Sequence, residues 1–207
     1  MERQQTPVHD PDKASGVTRE RALTTAALAA GGALVTVTAI GAADRSNAAP
    51  SAEQDKRVLN LLLRVEYTEA AFYAAALKDA GLTGELEDYA RVVLAHEQEH
   101  VGFLKGALGD AADPEPDYDF AAVTADEDAF ADAAAKLEDI AVGAYNGQAA
   151  NVTQSAFLAA ARIVSVEARH AAWIRSIRDA DPAPDAVDSP FDEQRVRRGL
   201  RELGVQS

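Results

Sequence analysis

Two short sets, Glu97-Gln98-Glu99-His100 and Glu167-Ala168-Arg169-His170, constrain the fold of this chain more than any other feature. Each is a Glu-x-x-His set inside a stretch rich in helix formers. About thirty residues upstream of each stands another helical glutamate, with a tyrosine seven residues further on: Glu66 with Tyr73, and Glu138 with Tyr145. The intervals nearly match, 31 residues from Glu66 to Glu97 and 29 from Glu138 to Glu167. On an α-helix, residues three apart lie about 60° from each other and share a face. Glu97 can therefore act with His100, and Glu167 with His170. Residues seven apart differ by only about 20°, so each lone glutamate shares a face with its tyrosine. An antiparallel hairpin sets a glutamate of its first helix and a Glu-x-x-His of its second at similar heights. Two such hairpins face to face aim four carboxylates and two imidazoles at one place.

The surrounding sequence supports an all-α fold. The chain has 207 residues and is 47% hydrophobic, enough for a buried core, and Ala dominates, which favours helix. No run of alternating β-branched residues reads as a strand. Ser51-x-x-Gln54 reads as a capping box opening a first helix that runs to about Ala80. Gly81 punctuates, and a second helix runs from about Thr83 to Leu108 and stops at Gly109. Pro114 and Pro116 interrupt residues 110–123. Thr124-x-x-Glu127 reads as a second capping box, opening a third helix to about Asn146-Gly147. A fourth begins between Asn151 and Thr153 and ends near Arg178. After a Pro/Asp loop from Asp181 to Pro190, Val196, Leu200 and Leu203 form one apolar stripe on a short terminal helix.

Helices of this size are roughly 38 Å long, and the 14 or so residues between the two pairs can stretch roughly 45 Å. A crossover along the length of the bundle and a simple up-down bundle with a free middle loop both fit these lengths. The prolines favour the extended crossing. The expected organisation is residues 1–50 as leader and linker, 51–180 as a four-helix bundle, and 181–207 as a C-terminal loop and short helix.

The flanks of the glutamates oppose a solvated surface. Glu66 follows Leu61-Leu62-Leu63-Arg64-Val65, and Glu167 follows Ile163-Val164-Ser165-Val166. Four buried carboxylates without cations are costly and take up protons instead. Two divalent ions resolve this: +4 balances −4, and the imidazoles bind neutral. The expected metal donors are Glu66, Glu97, His100, Glu138, Glu167 and His170. Glu97 and Glu167 bridge the ions, Glu66 and Glu138 bind at the ends, and each histidine completes one ion. Carboxylate and imidazole suit iron or manganese, and also zinc. Tyr73 and Tyr145 are the candidates for a catalytic role, each donating a hydrogen bond to a carboxylate of the opposite hairpin. A core tyrosine with an ordinary partner is the alternative. Glu69 and Glu99 read as solvated or supporting residues, His96 as structural and pointing elsewhere, and Trp173 as core.

Composition excludes several other classes. The net charge of −14, with no basic cluster, argues against nucleic acid. The chain has no Cys, which removes disulfides, thiolate nucleophiles and iron–sulfur ligation. Near the N-terminus, Arg19-Glu20-Arg21 precedes an uncharged run from Ala22 to Ala43. It has the moderate hydrophobicity of an export signal, with small residues at Gly41 and Ala43 for cleavage. It is also long enough to remain as a membrane anchor. A disordered tail with a mild apolar patch is the bland alternative. Thr18-Arg19-Glu20-Arg21-Ala22-Leu23 looks like a twin-arginine signal, but Glu20 splits the paired arginines.

Residues from about 55 to 180 resemble the ferritin-like superfamily of di-iron carboxylate proteins. Within it they are similar to exported bacterial and archaeal ferritin-like domain proteins related to desiccation-associated proteins. The resemblance is carried by Leu62-Leu63-Arg64-Val65-Glu66-Tyr67-Thr68-Glu69-Ala70-Ala71-Phe72-Tyr73 and by His96-Glu97-Gln98-Glu99-His100-Val101. Leu137-Glu138 through Ala144-Tyr145, and Glu167-Ala168-Arg169-His170-Ala171-Ala172, complete it. It implies a ferritin-like bundle of two antiparallel pairs with one long crossover. Bacterioferritin-like sites have a tyrosine at the offset of Tyr73 and Tyr145. The resemblance implies two metal ions, iron or manganese, acting on O2 or peroxide. It leaves open ferroxidase or peroxide-consuming chemistry, manganese catalase-like chemistry, and a stress protein whose metals are mainly structural.

Overall fold

The computed structural model describes residues 49–206. The expected export segment at residues 22–43 and its flanking arginines lie outside the described residues. Among the described residues no helix is long and apolar enough to cross a membrane.

Among the described residues there are five α-helices: α1 (Ala52–Asp79), α2 (Gly84–Leu108), α3 (Glu127–Gln148), α4 (Gln154–Ile177) and α5 (Glu193–Glu202). Described residues form no β-strand, only one isolated antiparallel bridge between Tyr118 and Val205. Ser51 caps α1, its hydroxyl accepting from the Gln54 N–H at 3.3 Å. Gly109 ends α2 at φ 56°, a backbone conformation that glycine adopts readily and side-chain-bearing residues rarely do.

The start of α3 differs from expectation. Its cap is Asp126, whose carboxylate accepts from the Ala129 N–H at 2.8 Å. Thr124 sits in the preceding turn, its hydroxyl donating to the Phe120 carbonyl. Glu127 is diverted to the other hairpin: one of its oxygens accepts from both the N–H and the hydroxyl of Thr83, at 2.6 and 2.9 Å.

That contact fixes the topology. Thr83 precedes α2 and Glu127 begins α3, so both helices start at the same end. At the opposite end, Asp55 in α1 accepts from the N–H and hydroxyl of Thr153, which precedes α4, at 2.8 and 2.6 Å. The pairs α1/α2 and α3/α4 are antiparallel hairpins, and the segment between them returns along the whole bundle. Asn60 holds its first part through Ala111 and Asp113, and Phe120 packs on Phe72 further along α1, ring centres 5.7 Å apart. The C-terminal residues pin its middle: Asp119 N–H donates to the Gly204 carbonyl and Gln206 N–H to the Asp117 carbonyl, both at 2.8 Å.

The core lies between the hairpins, around Leu62, Leu63, Phe72, Leu104, Phe130, Leu137 and Ile174. Helix α3 is the most thoroughly enclosed, because α5 and the preceding loop cover its outer side. Its small residues make that possible. A Cβ on Gly147 would meet the Phe191 carbonyl oxygen at 1.8 Å, and one on Gly143 would meet the Phe191 ring at 2.6 Å. Val196, Leu200 and Leu203 are buried as the terminal stripe requires, each stabilising the docked helix by about 1.5–3 kcal/mol.

Candidate metal centre

Each hairpin aims its acidic residues inward from mid-helix. Glu66 on α1, Glu97 on α2, Glu138 on α3 and Glu167 on α4 are all fully buried, at 0% exposure. His170 is buried at 3%, and the His100 side chain retains 12%. The apolar residues flanking each glutamate along its helix put it on the core face, so the same periodicity that buries the leucines buries the carboxylates.

The six side chains converge. His100 Nδ1 lies 3.2 Å from Glu66, 2.8 Å from Glu97 and 2.9 Å from Glu167. His170 Nδ1 lies 3.1 Å from Glu97, 3.6 Å from Glu138 and 3.5 Å from Glu167. Glu97 and Glu167 thus face both imidazoles, while Glu66 faces His100 and Glu138 faces His170. Atoms of Glu66, Glu97, His100 and Glu167 lie within 4.8 Å of one another, as do those of Glu97, Glu138 and His170.

This geometry fits cations better than hydrogen bonds. A single imidazole nitrogen carries one proton and cannot serve three carboxylates. Yet Glu97 Oε1, Glu138 Oε2, both Glu167 oxygens and His170 Nδ1 are buried without a hydrogen-bond partner, despite the short approaches. Buried polar atoms are nearly always paired. Metal–donor distances of about 2.0–2.2 Å place adjacent donors about 3 Å apart, the range seen around each imidazole. The donor set, oxygen with imidazole nitrogen, suits iron, manganese or zinc.

Without a cation the cluster holds protons. Burial and the neighbouring Glu167 raise Glu66 well above the ordinary carboxylate range. Burial pushes Glu138 up to about 7 despite the opposing pull of His170. Burial also disfavours charge on the imidazoles, but the carboxylates around them prevail. Glu167, Glu66 and Glu97 push His100 up to about 12, and Glu138, Glu167 and Glu97 do the same for His170. For Glu97 burial is likewise outweighed: His100 and His170 hold it down to about 2.

The tyrosines reach across the bundle. Tyr145 on α3 donates to Glu66 Oε1 at 2.5 Å, and Tyr73 on α1 donates to Glu138 Oε1. Burial raises both phenols well above their usual range, so both stay protonated donors.

Three further residues belong to the site. Glu69, expected to be solvated or supporting, is fully buried one turn from Glu66, with an oxygen within 4.8 Å of Glu138 and Glu167. Its spacing from Glu66 equals that of His100 from Glu97, which was the available signal. His96, expected to point elsewhere, brings its Nδ1 to 2.9 Å from His170 Nε2, with the two rings stacked. Its rotation of about 100° from Glu97 turns it toward α4. Tyr89 backs Tyr73, with hydroxyls 2.9 Å apart, and also reaches Glu138 at 3.2 Å. Nothing in its local sequence marks it. Glu99 is exposed, and Trp173 is half-buried against Tyr89 with its N–H donating to Glu85.

A family model described as a ferritin-like domain matches residues 54–180, a span that contains all six converging residues, both tyrosines and the crossover. No curated protein matches the chain.

Proposed function

Because the chain belongs to the ferritin-like domain family, we propose that it holds two iron ions and uses them to reduce O2 or peroxide. One observation carries this reading: buried oxygens of Glu97, Glu138 and Glu167 and His170 Nδ1 converge without hydrogen-bond partners. Glu66, Glu97, Glu167 and His100 would hold one ion, and Glu97, Glu138, Glu167 and His170 the other. Iron held by these residues would supply two electrons, one per ferrous ion, enough to take O2 to peroxide, or peroxide to water with protons from solvent.

The protein's contribution is position and exclusion of water. Tyr145 keeps its proton on the phenol oxygen and orients Glu66, and Tyr73 does the same for Glu138, so neither terminal carboxylate rotates freely. His96 fixes the ring of His170 from outside. Burial of all four glutamates keeps bulk water from the donors. His100 is the most exposed of the six, so the α2/α4 face is the side on which a small uncharged oxidant would enter.

Anaerobic addition of two Fe(II) per chain followed by air should give near-ultraviolet ferric absorbance within seconds to minutes. Metal bound in full but unoxidised by either O2 or peroxide would overturn the redox reading. If chelation then lowers the melting temperature while turnover stays negligible, the ions serve the bundle's stability. Rapid O2 evolution from peroxide by manganese-loaded protein would instead assign a catalase-like reaction.

A further inference from the structure

Glu69 is the one acidic side chain at the centre that the six-donor reading leaves without a role. It is fully buried, and neither of its oxygens has a hydrogen-bond partner. After burial itself, the strongest influences on it are carboxylates: Glu167, Glu97, Glu138 and Glu66. A buried carboxyl in such company is expensive whether ionised or neutral, since the neutral acid still carries an O–H that needs an acceptor. One of its oxygens groups with Glu138 and Glu167, within 4.8 Å, and it is absent from the group around His100.

We propose that Glu69 is a seventh protein donor, belonging to the ion held by Glu138 and His170, so that the two metal positions are chemically unequal. The position at His100 then takes Glu66, Glu97, Glu167 and His100, while the position at His170 takes Glu69 in addition to Glu97, Glu138, Glu167 and itself. The asymmetry is written into the chain. Three residues beyond Glu66 stands Glu69, whereas three residues beyond Glu138 stands Ala141. Charge follows the same logic: five carboxylates carry −5 against +4 from two divalent ions. The extra negative charge sits at one position and holds its cation more tightly. This inference rests on the dimetal reading but does not require that the centre be redox-active.

Co(II) titration of the full chain tests it, because visible Co(II) absorption weakens as donors are added and counts bound ions at once. Wild type should bind two Co(II) in two resolved steps. In Glu69→Gln, which keeps the side-chain shape, the tighter step should weaken about 10- to 100-fold, the range found when groups supporting a metal site are removed. The weaker step should stay within about 2-fold, and the absorption should intensify as one ion loses a donor. Glu69→Met, apolar and of similar volume, should behave the same way, and both variants should melt no lower than wild type when metal-free, having lost a buried carboxyl. Unchanged steps and an unchanged spectrum in either variant would overturn the assignment of Glu69. So would wild type binding two Co(II) in equal steps with one spectrum, a result that needs no variant to fold. Wild type taking up no Co(II) would remove the dimetal reading itself, an outcome distinct from both.

Discussion

The first hairpin, α1 with α2, and the second, α3 with α4, each contribute a lone glutamate, a Glu-x-x-His pair and a tyrosine. The tyrosine of each reaches the lone glutamate of the other. Around that shared set the two proposed ion positions diverge. Glu138 is backed by Tyr73 and Tyr89 together, and His170 by His96. Glu66 receives Tyr145, and His100 keeps partial exposure. Glu69 adds a carboxylate on the Glu138 side. A duplicated helix pair thus repeats its donors while their surroundings differ: the His170 side chain is 4% exposed and the His100 side chain 12%. Repetition of donors is what a pair of ions requires. The surroundings are where two such positions would acquire different affinity and access.

Removing donors should break this comparison most sharply. Glu97 faces both imidazoles, so Glu97→Ala should abolish binding of both ions, a loss well beyond the roughly 10- to 100-fold seen for supporting residues. His100→Ala should lose the ion at the exposed position and leave the other bound. Equilibrium dialysis with metal analysis distinguishes zero, one and two ions per chain. Equal loss of both ions in His100→Ala would mean that the positions are not separable.

A second effect concerns protons. In metal-free protein Glu138 is pushed up to about 7 from an ordinary 4.5. A raised pKa means that the folded state binds the proton more tightly. Its stabilisation is therefore fully present below about 4.5 and lost as pH rises through about 7. Glu66 and Glu69 have the same sign, with burial as the main cause. For His100 and His170 the contribution is full below 6.5 and fades toward 12. Glu97, held down to about 2, acts oppositely, but only as pH falls below about 4.5. Chelator-treated protein should therefore melt at a lower temperature near pH 8 than near pH 5. Loaded protein should lose this trend, because cations displace the protons and bind more tightly as pH rises. Melting curves across that interval check both, and metal-free protein more stable at the higher pH would contradict the proton-holding cluster.

Much of this architecture was legible beforehand, for physical reasons that also mark where legibility stops. Helix ends followed from local chemistry, as at Ser51 and Gly109, and the six converging residues followed from helical spacing. The crossover was readable from its length and prolines but needed a tertiary contact, Thr83 with Glu127, to separate it from a free loop. That same contact explains the misplaced cap of α3, since Glu127 answers a helix in the other hairpin. Glu69 and His96 lay at readable rotations on their helices. A single sequence does not say which neighbouring helix fills a given angle, so a buried carboxyl and a solvated one looked alike.

The smallest expected difference lies at the two ends of the bundle, away from the metal centre. The second helix of each hairpin starts after a threonine whose N–H and hydroxyl are both accepted by an acidic residue at the start of the other hairpin. Asp55 meets Thr153 with one oxygen for each donor, in a half-buried setting. Glu127 meets Thr83 with a single oxygen for both, in the open. Losing a helix cap costs about 0.5–2 kcal/mol, with exposed sites at the low end. Asp55→Ala should therefore cost about 1–2 kcal/mol and Glu127→Ala about 0.5–1 kcal/mol in urea unfolding. The two residues share no partner and sit at opposite ends, so the double variant should lose the sum within about 0.5 kcal/mol. A larger coupling would mean that the hairpins communicate through the length of the bundle.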